Sequence, residues 1–194
     1  MLTLYHAPGQ LSSRIIWLLE ELEAEYELVL THFPQPDGSG ADPNNPHPHG
    51  YAPALLHDGR LVTETGAIAL YLTDLFPGSS LGVPVGDPQR GAYLSWLFYQ
   101  VGMTEPLVNM QAAQLLQHFA PFAHLNDAMW RHLLHTLGSH PYMMGERFTA
   151  VDILYIELFE RLRPVLGPHE LIDAYIARGN RPARQRAKLR GRGR

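Results

Sequence analysis

The sequence contains no cysteine among its 194 residues. This absence excludes disulfide bonds, thiolate metal sites and any cysteine nucleophile of the protein's own. No run approaches the ~18 uninterrupted apolar residues of a membrane span, and the start, MLTLYHAPGQ, lacks the basic flank and cleavage site of a secretory signal. The glycine-rich motifs of nucleotide sites are also missing. We therefore expect a cytoplasmic protein with no membrane partner.

Charge is spread unevenly along the chain, whose formal net charge is −4. Residues 178–194 hold eight of the fifteen lysines and arginines and no acidic residue, so the rest of the chain has seven basic against nineteen acidic residues. A basic tail beside an acidic body can bind nucleic acid, but no aromatic residue interleaves these charges, as stacking on single strands requires. We expect a solvated tail that packs loosely on the acidic body, and we do not expect nucleic acid as a partner.

The first 78 residues alternate between strand and helix patterns. Residues 2–7 predict a strand, and the apolar spacing from Ile15 to Leu22 predicts a helix, for which Ser12 or Ser13 is a plausible N-cap. A second predicted strand at 26–32 completes a β-α-β unit, the seed of a parallel pair.

A proline-rich loop separates this unit from a predicted hairpin. Residues 33–50 include five prolines and show no periodicity. A loop of this length is usually functional or mobile. Two short strands then flank the turn Asp58-Gly59-Arg60, and a helix is predicted from Thr65 to Phe76.

From residue 87 onward the pattern is helical, with apolar residues at i, i+3 and i+4. We predict about five helices, at 87–110, 111–118, 125–138, 149–163 and 168–178. The boundaries that follow are 1–78 for an α/β domain, 79–88 for a linker, 89–180 for an all-helical domain and 181–194 for the basic tail.

The α/β pattern is typical of a thioredoxin-like domain. In such a domain the helix N-termini at 12–14 and 64–66 lie on one edge of the sheet. Each N-terminus offers unpaired backbone N–H groups and the positive end of a helix dipole. We therefore expect a small acidic ligand at this edge.

Three stretches, in register and at the proper distances, resemble the cytosolic glutathione S-transferases, and most closely the bacterial and fungal group that has a Ser-Arg-x-x-Arg loop. The resemblance covers Leu2 to about Ala187. It implies a thioredoxin-like N-terminal domain followed by a helical glutathione-transferase domain. The stretches are SSRIIWLLEELEAEYELV, HPHGYAPALLHDGRLVTETGAIALYL and YMMGERFTAVDILYIELFERL.

The resemblance implies a glutathione site in the N-terminal domain. Ala52-Pro53 would be the family's cis-proline step, where the Ala52 backbone pairs with the cysteinyl backbone of glutathione. Glu64 would bind the γ-glutamyl ammonium group, and Thr65 with the helix N–H groups its α-carboxylate. The alternative for Glu64 and Thr65 is ordinary helix capping. Tyr51 is assigned to the same site.

The catalytic position departs from the family pattern. Such enzymes lower the pKa of the glutathione thiol from about 8.5, with a hydroxyl donor near the start of the first helix. In the Ser-Arg-x-x-Arg pattern the serine lies four residues before the last arginine. When Arg14 is aligned with that arginine, the position of the serine is occupied by Gln10. We name Ser12 and Ser13 as catalytic candidates and Gln10 as a glutathione contact that could also donate to the sulfur. Backbone N–H groups are a further alternative, and Tyr5 is more typical of a core residue.

The resemblance also implies a second substrate and an assembly. Trp96, Tyr99 and Met103 share roughly one helix face with Gln100 and would wall a pocket for a hydrophobic electrophile, although such stripes are more often core. The family implies a homodimer and a role in detoxification. The alternatives left open are a non-catalytic glutathione-binding or protein-interaction module and a glutathione-dependent isomerase. Disulfide and dehydroascorbate reductases are set aside because they need an active-site cysteine.

Two further motifs lie outside the glutathione-site candidates. Thr149-Ala-Val-Asp152 predicts a capping box at the start of a buried helix. His47 and His49, with His57 nearby, invite a metal hypothesis. A His-Pro-His segment supplies no helical i, i+4 pair of ligands, so we expect no metal.

Overall fold

The computed structural model describes residues 1–192, which form two compact units. Met1–Ser79 and the segment that begins at Arg181 form the first unit, and Ser80–Asn180 form the second. The elements, in chain order, are β1 (Leu2–His6), α1 (Ser13–Glu21), β2 (Tyr26–Leu30), β3 (Ala54–His57), β4 (Arg60–Thr63), α2 (Thr65–Leu75), α3 (Arg90–Tyr99), α4 (Glu105–Ala112), α5 (Ala120–Ser139), α6 (Ala150–Leu166), α7 (Glu170–Arg178) and α8 (Pro182–Arg190).

The first unit is built on a four-stranded sheet in the order β2-β1-β3-β4. β1 pairs in parallel with β2 and antiparallel with β3, and β3 and β4 form an antiparallel hairpin. The predicted β-α-β unit and hairpin are therefore confirmed. The core of this unit includes Leu4, Ile15, Leu55 and Ile68, all fully buried, because the apolar faces of the sheet and of its helices are removed from water together.

The expectation of a loosely packed, solvated tail is wrong for α8. This helix packs against α1, and Ala183 and Ala187, four residues apart, are buried on its inner face. Arg181 donates to both carboxylate oxygens of Glu21, at 2.6 and 2.9 Å. The guanidinium of Arg184 lies 4.6 Å from the centre of the Trp17 ring. Gly193 and Arg194, the last two residues of the predicted tail, lie outside the described residues.

Glu20 holds the far end of α8. Its side chain is only 7% exposed and accepts hydrogen bonds from Arg186 Nε and the Tyr26 hydroxyl, both at 2.9 Å. Arg190 Nε lies 3.0 Å from Glu20 Oε1, the same oxygen that accepts the Tyr26 hydroxyl. The charge of the tail is therefore matched by carboxylates of α1, whose positions in the sequence are more than 150 residues away.

The second unit contains the five helices α3 to α7. The continuous helix predicted at 87–110 is divided, because a π-helical turn at Gln100–Thr104 joins α3 to α4. The helix predicted at 111–118 is also wrong: α4 ends at Ala112, and only a short 3₁₀ turn at Leu116–His118 follows. None of the helices among residues 1–192 is long and apolar enough to cross a membrane.

The predicted capping box at the start of α6 is confirmed. Asp152 Oδ2 accepts the N–H of Thr149 at 2.8 Å, while Oδ1 accepts the N–H of Met143 at 2.9 Å and the Tyr175 hydroxyl at 2.8 Å. Asp152 is fully buried. One carboxylate thus joins the N-terminus of α6 to the preceding loop and to α7.

Candidate functional site

One edge of the sheet gathers the glutathione-site candidates. The pairing register places Tyr5 opposite Ala54, and Ala54 opposite Thr63. The chain therefore leaves β1, enters β3 and leaves β4 at the same edge. Every candidate of the first unit lies on this edge or on a loop that starts from it, namely Gln10, Ser12, Ser13, Tyr51, Ala52, Pro53, Glu64 and Thr65.

Ser12 does not present its hydroxyl to this edge. The residue is 0% exposed, and its side chain makes no capping hydrogen bond to α1. Its Oγ instead lies 2.7 Å from His6 Nδ1 and accepts the N–H of Ala7 at 3.2 Å. A hydroxyl that is enclosed and bonded in this way is poorly placed to donate to a ligand sulfur, which argues against Ser12 as the thiol donor.

Gln10 and Ser13 are the accessible candidates at the same turn. Gln10 is exposed and Ser13 is partly exposed. The Ser13 hydroxyl donates to the Gln10 carbonyl at 3.0 Å. The N–H groups of Ser13 and Arg14 donate to the carbonyls of Gln10 and Leu11, both at 3.2 Å, so these backbone donors are engaged within the turn. Tyr5 lies within β1 and is partly exposed, beside the core.

The peptide bond between Ala52 and Pro53 is cis, as the family resemblance implies. Both residues are buried at the entrance to β3. Tyr51, just before them, is 50% exposed, and its carbonyl accepts the side-chain amide of Asn45 at 2.9 Å. The Tyr51 ring lies 5.2 Å from that of Phe33, so the two ends of the long loop meet here.

Glu64 has an unusual backbone conformation, with φ 68° and ψ 124°. Such conformations are uncommon for a side chain as large as glutamate, and they cluster at functional sites. Glu64 makes no side-chain capping hydrogen bond to α2, and its side chain is 78% exposed. Ordinary capping therefore does not account for this carboxylate. Thr65, the first residue of α2, is 9% exposed.

His47 is an unpredicted neighbour of Glu64. Its Nε2 lies 4.0 Å from Glu64 Oε1, and its side chain is 6% exposed. The N–H of His49 donates to His47 Nδ1 at 3.1 Å, which leaves Nε2 as the protonated nitrogen of the neutral ring. Burial lowers the pKa of His47, the Glu64 carboxylate opposes this shift, and His49 adds to it.

The long loop at 33–50 lines an open pocket of about 730 Å³. No strand or helix is assigned between Thr31 and Pro53, in agreement with the predicted loop at 33–50. The pocket is lined by aromatic, proline and polar side chains that include Phe33, His49 and Tyr51. Among residues 1–192, no group of three or more histidine, aspartate or glutamate side chains is arranged to hold a metal ion.

Two of the three predicted electrophile contacts come together in the second unit. The ring of Trp96 stacks on His132 with 4.7 Å between centroids and 5° between planes. Tyr99 meets the Trp96 ring edge-on at 5.9 Å, and burial raises the pKa of Tyr99. Met103 lies on the π-helical turn and is partly buried.

The sequence did not indicate a role for His6 or His132, and it raised His47 only as a metal-ligand candidate and not as a neighbour of Glu64. A single sequence gives little warning of such roles, since a histidine near the end of a strand or on a helix face is usually unremarkable. The π-helical turn had a weak signal, because the polar residues Gln100 and Thr104 interrupt an apolar face and are both fully buried.

Comparisons with known proteins agree with this fold. A family described as "Glutathione S-transferase, N-terminal domain" matches residues 1–74. The disulfide-bond oxidoreductase YfcG of Escherichia coli K12 is 27% identical over 208 aligned positions, which cover 98% of this chain and 95% of that protein. The glutathione S-transferase GstA of Escherichia coli O157:H7 is 29% identical over 167 positions, which cover 77% of this chain and 76% of that protein.

A solved structure has the same architecture over its full length. The glutathione transferase from Methylococcus capsulatus strain Bath superposes with a TM-score of 0.81 at 27% identity, and the match covers 98% of each chain. The predicted fold class, a thioredoxin-like domain followed by a helical domain, is confirmed.

Proposed function

Because this chain belongs to the cytosolic glutathione S-transferase family, we propose that it binds glutathione at the edge that joins Gln10, Pro53 and Glu64. We further propose that it transfers the glutathione sulfur to a hydrophobic electrophile. The observation that carries the proposal is the Glu64 carboxylate beside the N-terminus of α2. It is exposed and makes no capping hydrogen bond to that helix. A carboxylate next to unpaired N–H groups suits a ligand end that has both an ammonium and a carboxylate group.

The dimensions of the edge suit a tripeptide. β1 and β4 are separated by β3, so they lie two strand spacings apart, about 10 Å. An extended tripeptide spans about 10 Å. Glu64 and Thr65 would hold the γ-glutamyl end, and the backbone of Ala52 the cysteinyl residue. Tyr51 would contact the glutathione beside the long loop.

Ser13 and Gln10 would stabilise the thiolate at the start of α1. The exposed side-chain amide of Gln10 can turn a donor towards the edge, and the Ser13 hydroxyl would do so by leaving the Gln10 carbonyl, whereas the buried Ser12 hydroxyl is held by His6 and Ala7. Bound glutathione supplies the nucleophilic sulfur, which fits a protein that has no cysteine of its own. With an aryl chloride, the sulfur–carbon bond forms, the carbon–chlorine bond breaks and chloride leaves. Trp96, Tyr99 and Met103 would contact the electrophile.

A second candidate is glutathione-dependent disulfide exchange, which the similarity to a disulfide-bond oxidoreductase over 95% of its length favours. The chain has no cysteine of its own to take part in such an exchange. Both sulfur atoms can come from the substrates, however: the glutathione thiolate attacks a disulfide, forms a mixed disulfide and releases the other sulfur as a thiolate. The same site would serve both reactions.

We also propose that the protein is a cytoplasmic homodimer with a role in detoxification, as is common in this family. Light scattering of the purified chain tests the assembly, and a molecular mass of about 22 kDa rather than twice that value would contradict it.

Calorimetric titration of glutathione tests the site. We expect saturable binding by the wild type and a roughly 10- to 100-fold weaker affinity in Glu64→Gln, because a hydrogen bond to a charged group contributes about 1.5–3 kcal/mol. The matched control is Glu27→Gln, an exposed glutamate on β2, and it should bind like the wild type. Absence of binding by the wild type at millimolar glutathione would refute the proposed function.

Turnover then separates the candidates. An activated aryl chloride and a small organic disulfide are each offered with glutathione. Turnover of the aryl chloride supports the transferase, and turnover of the disulfide alone supports the exchange reaction. Binding without either reaction would leave the non-catalytic module.

A further inference from the structure

The end of α8 is connected to the turn that carries Gln10 and Ser13. His6, the last residue of β1, is 1% exposed and bonds on both sides. Its Nε2 lies 2.9 Å from the carbonyl oxygen of Gly191, just after α8, and its Nδ1 lies 2.7 Å from Ser12 Oγ. The two partners are 179 positions apart in the sequence, so only the folded chain brings them together.

The Gly191 carbonyl fixes the hydrogen-bond direction along this connection. A carbonyl oxygen only accepts, so Nε2 of the neutral ring must donate to it, and Nδ1 must accept. The Ser12 hydroxyl therefore donates to His6, and the same Oγ accepts the N–H of Ala7 at 3.2 Å. Burial lowers the pKa of His6, which keeps the ring neutral, although the bond to Gly191 partly opposes this shift.

The chain of hydrogen bonds continues into the turn itself. The Ala7 carbonyl accepts the N–H of Gln10 at 3.2 Å, and the Gln10 carbonyl accepts the Ser13 hydroxyl at 3.0 Å. The unbroken path thus runs from Gly191 through His6, Ser12, Ala7 and Gln10 to Ser13. Its last two members are the accessible thiol-donor candidates.

We propose that His6 is a positioning residue for thiol activation, and that the packing of α8 on α1 supports it by presenting the Gly191 carbonyl. This inference rests on the proposed function, because it concerns the same site. His6 does not touch glutathione in this scheme. It acts by holding Ser12, which in turn holds the loop from Ala7 to Gln10 in the shape that places the donors.

The ion pairs of α8 explain how a distant helix could control the turn. Glu21 holds Arg181, just before the first residue of α8, and Glu20 holds Arg186 near the middle of the helix and Arg190 at its end. A β-carbon added at Gly191 would lie 3.3 Å from His6 Nε2 and 3.2 Å from Ile16 Cδ1, so the contact is already close. A shift of α8 by a few tenths of an ångström would therefore alter the His6 bond.

The test measures the pKa of the glutathione thiol bound to the full-length protein, from the ultraviolet absorbance of the thiolate against pH. His6→Phe removes both hydrogen bonds of the ring. We expect it to raise the bound-thiol pKa by about one unit, a tenfold loss of thiolate at a pH below the pKa. We expect the dissociation constant of glutathione from calorimetry to stay within twofold, because Glu64 and Thr65 are untouched.

Two further variants guard against a failure to fold. His6→Asn keeps an acceptor for the Ser12 hydroxyl. Its bound-thiol pKa should therefore lie close to that of the wild type and below that of His6→Phe. Glu20→Gln loosens α8 from a distance and should raise the bound-thiol pKa in the same direction as His6→Phe, but less. His57→Phe, a strand histidine at the opposite end of β3, is the matched control and should leave the bound-thiol pKa unchanged.

The outcomes separate the inference from the proposed function. No glutathione binding by the wild type refutes the proposed function and the inference with it. If the wild type binds glutathione and neither His6 variant nor Glu20→Gln moves the bound-thiol pKa, the positioning role is refuted while the site stands. A bound-thiol pKa in the wild type equal to that of the unbound thiol also refutes the positioning role, since there is then no activation to support.

Discussion

Replacement of Asp152 by asparagine keeps the shape of the side chain and removes half of its ability to accept hydrogen bonds. Oδ1 accepts the N–H of Met143 and the hydroxyl of Tyr175, and Oδ2 accepts the N–H of Thr149 and lies 3.2 Å from Thr149 Oγ1. In Asp152→Asn, one of these oxygens becomes an NH₂ group. Whichever way the amide turns, its NH₂ group faces a backbone N–H, of Met143 or of Thr149, which cannot accept. The neighbouring hydroxyl can turn to accept one amide hydrogen, so two buried donors, the backbone N–H and the other amide hydrogen, lose their acceptor.

The cost follows from those two donors. Each buried donor without an acceptor costs about 1–3 kcal/mol, so we expect Asp152→Asn to lower the free energy of unfolding by about 4 kcal/mol. For a chain of this size, 1 kcal/mol corresponds to a shift of about 3 °C in the melting temperature, so we expect a drop of about 12 °C. Tyr175→Phe removes one hydrogen bond and should cost about 1 kcal/mol.

Urea and thermal unfolding, followed by circular dichroism, measure both effects. Asp127→Asn, an exposed aspartate on α5, is the matched control and should change stability by less than about 0.5 kcal/mol. If Asp152→Asn costs less than about 1 kcal/mol, the assignment of the four contacts as the anchor of α6 is refuted.

Two predictions concern the first unit. Glu20→Gln should lower the free energy of unfolding by about 1–2 kcal/mol and speed tryptic cleavage within α8. The loss is moderate because Glu20 is buried while its arginine partners are about half exposed and partly screened by water. Equal cleavage rates in Glu20→Gln and Glu27→Gln would contradict this. Acidification should destabilise the wild type through His6: burial lowers its pKa from 6.5, so the unfolded chain binds the proton more readily, and stability falls as pH drops below 6.5 towards the folded-state pKa. The urea midpoint should therefore fall more steeply between pH 7.5 and 5.5 in the wild type than in His6→Asn, and parallel slopes would exclude His6 as the source.

Local patterns in the sequence determined much of this fold. The alternation in β1, the Asp58-Gly59 turn of the hairpin and the Thr149–Asp152 capping box each depend on residues within a few positions of one another. Because strand pairing then orders the chain, the sequence also placed Ala52 and Glu64 on one edge of the sheet. These features follow from the side-chain period and turn chemistry, which a single sequence displays directly.

Tertiary structure decided the rest, since those features depend on partners far apart in the chain. The basic segment reads as solvated by composition, yet it folds as α8 because Glu20 and Glu21 on α1 neutralise its arginines. Ser12 looks like a helix cap or a catalytic donor, yet it is directed inward because His6 offers a buried acceptor. No spacing in the sequence indicates that Gly191 lies against His6, because packing between remote segments, rather than local preference, brings these atoms together.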